Sequence, residues 1–491
     1  MINSIAYFQT KITEKLEKTF LEYSSDMTKI AELVYGVMDC MVEFGLKLLE
    51  EELESYDVFL CEKRYLRPDW HIVRKDETTL LTSLGTLRYH KTLFRNKKTG
   101  DYEYFLDRVM GLEKHARMTE DAEAGILEEA VQTSYEKGGK AVSILSEEVS
   151  RETVKNKLHA LKFPKTENYP EKKRIVEYLY LEADEDHIAL QFHEKKGDIT
   201  ENEYHQKNNG AIAKLVYVHE GIRQENERSS RHILEHPHYF GRVCNGEENK
   251  AFWDEVYEYI EKTYDLSKVK KLYLSADGGS WIMSGKRRIA GITYVLDEFH
   301  LKKYLGKITR RFGKKEKETE EELVKIICRG TKAEFEEKIE ELKKEIHTPS
   351  GKKRMEEGKN YLLNNWTAAR LRMLRKNGVK GSSTESHVSH ILSDRMSSRP
   401  MGWSRTGMSK MVELRAYYYN KGDMLELVRY QKKELPKVSG SEDVICSSSQ
   451  MWSAERKRKK ELGQMADIPT YRIPYNQIKK IANFKAQIFG L

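Results

Sequence analysis

Tyr178-Leu179-Tyr180-Leu181-Glu182-Ala183 runs into Asp184, and Lys271-Leu272-Tyr273-Leu274-Ser275-Ala276 runs into Asp277. Both stretches are apolar and aromatic, so each reads as a buried strand that ends on a carboxylate. A third carboxylate, Glu385, opens a segment in which Val388, Ile391, Leu392 and Met396 recur at helical spacing. Two strand ends and one helix start can converge on a point. Three converging carboxylates can hold a pair of divalent ions of the kind that drive phosphodiester cleavage and transfer.

Outward from these stretches, His187–Phe192 and Ile212–His219 read as the second and third strands. Lys250–Tyr264 reads as a helix with Phe252, Val256, Tyr259 and Ile260 on one face, and Ile292–Leu296 as a fifth strand. A helix begins near Phe299. The order β-β-β-α-β-α-β predicts an α/β fold class with an RNase H-like core. Residues 316–377 are charged and helical, which makes them a helical insertion ahead of Glu385.

The remainder divides by composition. The predicted regions are an N-terminal helical region (1–75), a basic β-hairpin region (76–115) and a helix-turn-helix region (116–165). The core follows in two parts (172–312 and 379–430), split by the insertion (313–378), and a C-terminal tail closes the chain (431–491). In the first region Leu33, Val34, Val37, Met38 and Met41 recur at helical spacing, as core and dimer packing would require. The hairpin is read from Leu84–Arg95, the turn Asn96–Asp101 and Tyr102–Leu106. In the helix-turn-helix reading a first helix ends near Leu145. A second is capped by Ser150 and exposes Arg151, Lys155 and Asn156 to the major groove of DNA. The bland counterpart is an ordinary packed helix pair.

Composition narrows the classes. The net charge of +8 over 491 residues is modest, but the cations cluster, as at Arg310-Arg311, Lys314-Lys315, Lys352-Lys353-Arg354 and Arg370–Lys380. The five cysteines are scattered, which argues against a zinc ribbon or a disulfide framework and for a reducing cytoplasm. The first residues lack a basic region followed by an apolar core, and no run is apolar enough to span a membrane. His232, His236 and His238 are close in sequence, but Pro237 interrupts the helix that would align them.

Each carboxylate has a plainer reading. Glu182, Asp184 and Asp186 share one strand face, so any of them can face a metal. Asp277 precedes Gly278-Gly279, a strong turn signal, with Trp281 next in reach of a base. Ser382-Ser-Thr-Glu385 fits a capping box with Ser382 as N-cap. Against that, Glu385 lies near the buried face of its helix, where a carboxylate needs a partner. Asp297 ends the fifth strand, and His300 sits on the next helix's first turn, placed to orient a phosphate, the scissile strand or a water.

In combination, Glu182-Ala-Asp-Glu-Asp-His187, Ser275-Ala-Asp-Gly-Gly-Ser-Trp281, Tyr294-Val-Leu-Asp-Glu-Phe-His300 and Ser382-Ser-Thr-Glu-Ser-His387 resemble the Lre-type bacterial insertion-sequence transposases. That family was long catalogued as uncharacterised and is similar in layout to the Mutator-like transposases. The resemblance implies a DDE transposase with its triad on Asp184, Asp277 and Glu385, and an Asp-x-x-His signature on Asp297 and His300. The expected cofactor is Mg²⁺, with Mn²⁺ able to substitute. Asp184 would bridge two ions, and Asp277 and Glu385 would each hold one. The expected partners are double-stranded DNA, as terminal inverted repeats and target, and further copies of the chain in a homodimer or higher oligomer. No membrane is expected, and the expected place is the bacterial cytoplasm at the nucleoid. Arg370, Arg372 and Arg375, with Trp366, would grip the transposon end. The rivals are a metal-dependent nuclease that cuts without joining and a domesticated DNA-binding protein with an idle site.

Overall fold

In the computed structural model the described residues are 2–144, 147–165, 169–192, 195–201, 208–398 and 401–433. The predicted tail beyond 433 and the position of Leu145 lie outside them. The described residues form two compact units, one of the residues up to Glu129 with Tyr135–Arg151 and those from Gln431, the other of Ala130–Ser134 with the described residues of Glu152–Tyr430. Among the described residues no helix is long and apolar enough to cross a membrane.

The first unit joins a helix to a sheet. The helix Ile30–Glu62 follows the helix Thr13–Ser25. The sheet has three strands in the order β1 (Trp70–Leu81), β2 (Thr86–Asn96), β3 (Tyr102–Tyr104). The predicted hairpin is β2–β3. Strand β1 went unread because Arg74, Lys75, Asp76 and Glu77 interrupt its alternation, yet it pairs with β2 from Trp70↔Asn96 to Leu81↔Thr86. The far edge of β2 is closed by the helix. Glu50, Glu54 and Asp57 accept hydrogen bonds from the backbone N–H groups of Arg88, His90 and Thr92 at 3.0, 2.9 and 2.8 Å. The stretch of β2 that the short β3 does not reach is so covered and cannot template further pairing.

The predicted helix-turn-helix takes a different form. Its first helix is Tyr135–Lys140, which ends well before Leu145, and its second is Arg151–Ala160. Gly138 and Gly139 weaken helix propagation there, and the connection is far longer than the three or four residues of the motif. The unit boundary also falls at the start of the second helix, between Arg151 and Glu152.

The second unit is built on a five-stranded mixed sheet. Its strands are β4 (Tyr178–Ala189), β5 (Gly210–His219), β8 (His238–Arg242), β9 (Lys271–Ala276) and β10 (Ile292–Leu296). The remaining two, β6 (Gly221–Gln224) and β7 (His232–Glu235), form a separate ribbon. The sheet order is β10-β9-β4-β5-β8. β10, β9 and β4 are parallel, while β5 is antiparallel to both β4 and β8. Of the residues read as a second strand, His187–Phe192, the first three are the end of β4, and Leu190 makes only an isolated bridge to Trp403. The third strand of the sheet is His238–Arg242, beyond Pro237, where the sequence reading placed none.

Side-chain alternation sorts the two faces. Leu179, Leu181, Ala183, Leu272, Leu274, Ala276 and Leu296 enter the main core with Trp253 and Trp281. Tyr180, Tyr273 and Val295 line the opposite face with Val379. Burial on both faces is what parallel strands require. The insertion is four helices, Glu316–Arg329, Lys332–Lys344, Pro349–Asn364 and Trp366–Leu374. Thr331 and Glu334 close a capping box on the second, and Thr348 with Pro349 starts the third.

The helix Ser280–Arg288 lies against Trp253 through Gly285, where an added Cβ would fall 2.2 Å from the indole ring. We expect Gly285→Val to lower the melting temperature, with an overpacking cost of about 1–3 kcal/mol. A thermal melt of wild type and variant checks this, and an unchanged melting temperature would refute the close approach.

Candidate active site

The parallel register brings three aspartates side by side. Glu182 is paired with Ser275, and Ser275 with Val295. Two residues further along each strand, on the same face, stand Asp184, Asp277 and Asp297. Asp184 feels the result. Burial, then the neighbouring carboxylates of Asp277 and Asp297, push its proton affinity up to about 7. Its Oδ1 accepts from the Glu185 N–H at 2.8 Å. Asp277 Oδ1 accepts from the Gly279 N–H at 2.8 Å, and its carbonyl accepts from Tyr361 of the insertion at 2.6 Å. Gly278 takes φ +93° in this turn, and a Cβ there would fall 2.9 Å from the Tyr294 hydroxyl. Only glycine meets both demands.

Asp297 caps the helix Glu298–Thr309. It accepts from the His300 N–H at 3.0 Å, and His300 Nδ1 lies 3.3 Å from the same oxygen. Ser382 Oγ donates to its other oxygen. Burial alone would raise the Asp297 carboxyl, but these hydrogen bonds outweigh it and hold it at about 2. Burial likewise pulls the His300 imidazole down, and the Asp297 hydrogen bond with the Asp184 and Asp277 charges overcomes it, so the net direction is up.

Glu182 is the second anchor. Fully enclosed, it accepts from Tyr217 Oη at 2.8 Å, Ser383 N at 2.9 Å and Thr384 Oγ1 at 2.6 Å, with His219 Nε2 at 3.3 Å. Burial pushes its carboxyl up, and the His219 and hydroxyl contacts bring it below the ordinary value. Glu182 therefore ties the segment that follows the insertion to the sheet, and it faces protein rather than an open site. Asp186 is turned to Ser397 Oγ at 2.7 Å.

The structure does not gather all of the predicted site. Asp184 and Asp277 stand level with Asp297, which holds His300 beside them. Glu385 does not face inward: its helix, Thr384–Val388, buries Thr384 and Val388, and Glu385 is exposed. The predicted capping box is absent too, because Ser383 is the N-cap and Ser382 is spent on Asp297. Trp281 is only 8% exposed, stacks on Trp253 and donates to Glu185, so it is a core residue without a face for a base. Arg370 donates to the carbonyls of Ile327 and Gly330. Arg372 is buried and donates to the carbonyls of Leu296 and Lys380 and to Ser275 Oγ, joining the insertion to the strand ends. Both arginines are structural ties. Arg375 is exposed and pairs with Glu298 at 2.9 Å. Arg151 and Asn156 are exposed on their helix, and Lys155 pairs with Glu152.

Among the described residues no three carboxylate, imidazole or thiolate groups stand close enough to hold a metal ion. The donor chemistry of the Asp184–Asp277 pair still suits a hard cation, because it offers oxygens only and its crowded charge raises Asp184. The third ligand is what the arrangement lacks.

A family profile matches residues 24–434. The chain belongs to UPF0236, an uncharacterised protein family. Two UPF0236 proteins of Caldanaerobacter subterraneus subsp. tengcongensis are each 31% identical to it. One aligns over 433 residues, 88% of either chain, and the other over 423 residues, 86% of this chain and 85% of the relative. A further UPF0236 protein of that organism, 30% identical over 423 residues, carries eleven locus designations in its name. Among solved structures, the Drosophila P element transposase strand transfer complex aligns over 74% of this chain and 89% of its own. The TM-score is 0.24 and the identity 11%, which is too remote to carry an argument.

One signal for the row lies in the sequence. Leu179-Tyr-Leu-Glu-Ala-Asp184 and Leu272-Tyr-Leu-Ser-Ala-Asp277 are nearly the same hexapeptide, and they pair in register. The role of Glu182 had no such signal, because its partners come from residues 217–219 and 382–384.

The two perturbed aspartates act oppositely on stability. Asp297, held at about 2, contributes stability that is present above its ordinary value of about 4 and lost as pH falls through 2. Asp184, raised to about 7, costs the fold increasingly as pH rises from about 4 to 7. In chelator, Asp184→Asn should melt above wild type at pH 8, by on the order of 5 °C. The gap should close by about pH 4. A gap that ignores pH would contradict the assignment.

Proposed function

We propose that this chain is a DDE transposase of a bacterial insertion sequence, which cleaves DNA at terminal inverted repeats and joins the freed end to target DNA. One observation carries the reading. Asp184, inside β4 just past its last parallel pair with β9, and Asp277, just past the end of β9, stand level in a sheet whose order is fifth-fourth-first-second-third. That is the strand order of an RNase H-like core, with the carboxylates where such a core does phosphodiester chemistry. The eleven locus designations of one relative support it, since a gene that copies itself multiplies within a genome.

Asp184 and Asp277 would hold Mg²⁺, which when bound acidifies a water and stabilises a leaving 3′ oxygen. The chain's own residues do the rest. His300, its proton affinity raised and its ring held by Asp297, offers a hydrogen-bond donor beside the aspartates that can orient a phosphate oxygen. The assignment of Glu385 as third ligand rests on the sequence motif and requires its helix to turn inward. Glu182 positions that helix through Ser383 and Thr384.

Assays on DNA carrying the element's own ends test this. Wild type should nick and join in Mg²⁺, and Asp277→Asn should lose on the order of 100-fold or more. Nicks without joined products would favour the nuclease, binding without nicks the domesticated protein, and full activity of Asp277→Asn would sink the triad. Independently of activity, Mg²⁺ should raise the melting temperature of wild type at pH 8 and leave Asp184→Asn unmoved.

The same reading includes a homodimer or higher oligomer. Ala31, Val34, Met38 and Met41 are exposed at steps of three and four on Ile30–Glu62, the spacing of a helix–helix seam. With Phe20, Leu21, Met27, Ile30 and Tyr35 they leave a large apolar face uncovered. At about 100 Å² each, these side chains approach the ~800 Å² that one partner gives a standard interface. Acidic Glu32 and Asp39 beside them suit neither DNA nor a membrane, which favours a second copy as the partner. Val34→Asp with Met38→Asp should shift light-scattering mass to the monomer, and an unchanged mass would exclude this seam.

A further inference from the structure

The helix Glu298–Thr309 begins at the Asp297–His300 pair and runs into Arg310, Arg311, Lys314 and Lys315. The insertion helix Pro349–Asn364 opens with Lys352, Lys353 and Arg354. These two runs are far apart in sequence and adjacent in the fold. Arg311 Nη1 donates to Thr348 Oγ1, the N-cap of the second helix, at 3.1 Å. The helices touch through Gly358, where a Cβ would fall 2.8 Å from Ile308 Cγ1 and 2.9 Å from the Tyr304 carbonyl.

All seven cations are exposed, and none makes an ion pair among the described residues. Their neighbours on the same helices behave differently. Lys302 pairs with Glu298 at 2.9 Å and Lys307 with Glu357 at 3.0 Å. Glu316 and Glu318 flank the patch without taking any of the seven as a salt-bridge partner. Concentrated cations repel one another, and a polyanion relieves that. The patch also lacks an apolar wedge, because none of the large exposed apolar residues falls between Arg310 and Arg354. That makes it a poor fit to a lipid surface, which needs one.

Distance identifies the polyanion. Ten helical residues separate His300 from Arg310, about 15 Å along the axis. A DNA strand advances about 3.4 Å per nucleotide, so the gap is four or five phosphates. We propose that this surface grips the backbone of the duplex flanking the scissile phosphate, roughly half a helical turn from it. The contact is to phosphates and independent of base sequence. It takes over the role that the sequence reading gave to Arg370 and Arg372, which the fold uses internally. The placement relative to the cut rests on the function proposed above, while the grip on a duplex does not.

The test is a salt titration of DNA affinity by fluorescence anisotropy with the full chain. The variants are Lys352→Gln/Lys353→Gln/Arg354→Gln, the same positions as Lys352→Arg/Lys353→Arg/Arg354→Lys, and Arg310→Gln/Arg311→Gln. The triple Gln variant should lower the slope of log affinity against log salt by about 2 to 3, equally on element-end and unrelated duplexes. The charge-preserving variant should keep the wild-type slope. On a duplex truncated about three base pairs beyond the cut, wild type should fall to the level of the Gln variant. Unchanged slopes with cleavage intact would overturn this surface and leave the proposed function standing. A lowered slope in a protein that never nicks DNA would do the reverse. Loss of binding to phosphatidylserine vesicles with DNA affinity retained would overturn the DNA assignment in favour of a lipid surface.

Discussion

The buried Glu182 carboxylate holds the second unit together. A charge removed from water costs several kcal/mol unless it is fully paired. Here Tyr217, Ser383, Thr384 and His219 all converge on it. Two of these come from the neighbouring strand, and two come from beyond a four-helix insertion. The carboxylate can be satisfied only when the chain has left the sheet, built the insertion and returned. Its desolvation therefore enforces the return, and the helix carrying Glu385 starts where Glu182 fixes it.

The second constraint is the parallel register of β4, β9 and β10. Parallel strands bring equivalent positions level, so Asp184, Asp277 and Asp297 stand side by side. Burial first, and then these neighbours, raise Asp184, while the Asp297 hydrogen bond and the nearby carboxylates raise His300 against its burial. The fold thus presses on Asp184 and secures Asp297 with hydrogen bonds. Arg372 and Tyr361 brace the same strand ends from the insertion side. The insertion is accordingly part of the site's scaffold, and its outward cations are what remain free for a partner.

Much of this was legible from residues alone. The apolar hexapeptides ending at Asp184 and Asp277, the strand Ile292–Leu296 and the charged helices of the insertion all declare themselves by local pattern. Local pattern failed where charge interrupts alternation. Trp70–Leu81 is a strand despite its Arg-Lys-Asp-Glu run, because β2 pairs along its whole length. β4 likewise continues through Glu185 and Asp186, because β5 supplies partners. Residue type also misled. Trp281 and Arg372 look like nucleic-acid contacts in a list of residues, but each is enclosed by groups distant in sequence.

The sequence by itself determined the apolar strands that lead to Asp184 and Asp277, the strand Ile292–Leu296, the charged helices of the insertion, and to which family the chain belongs. These depend on periodicity and on neighbours within a few positions. Only the tertiary structure decided which carboxylates stand level, that Asp297 joins the row while Glu385 stays outside it, and which cations among the described residues remain without an ion pair. Those outcomes depend on strand register and on contacts across scores of residues, such as Glu182 with Thr384 or Arg311 with Thr348. Such contacts form only when burial and hydrogen bonding are satisfied across the whole unit, and no local stretch of sequence encodes that.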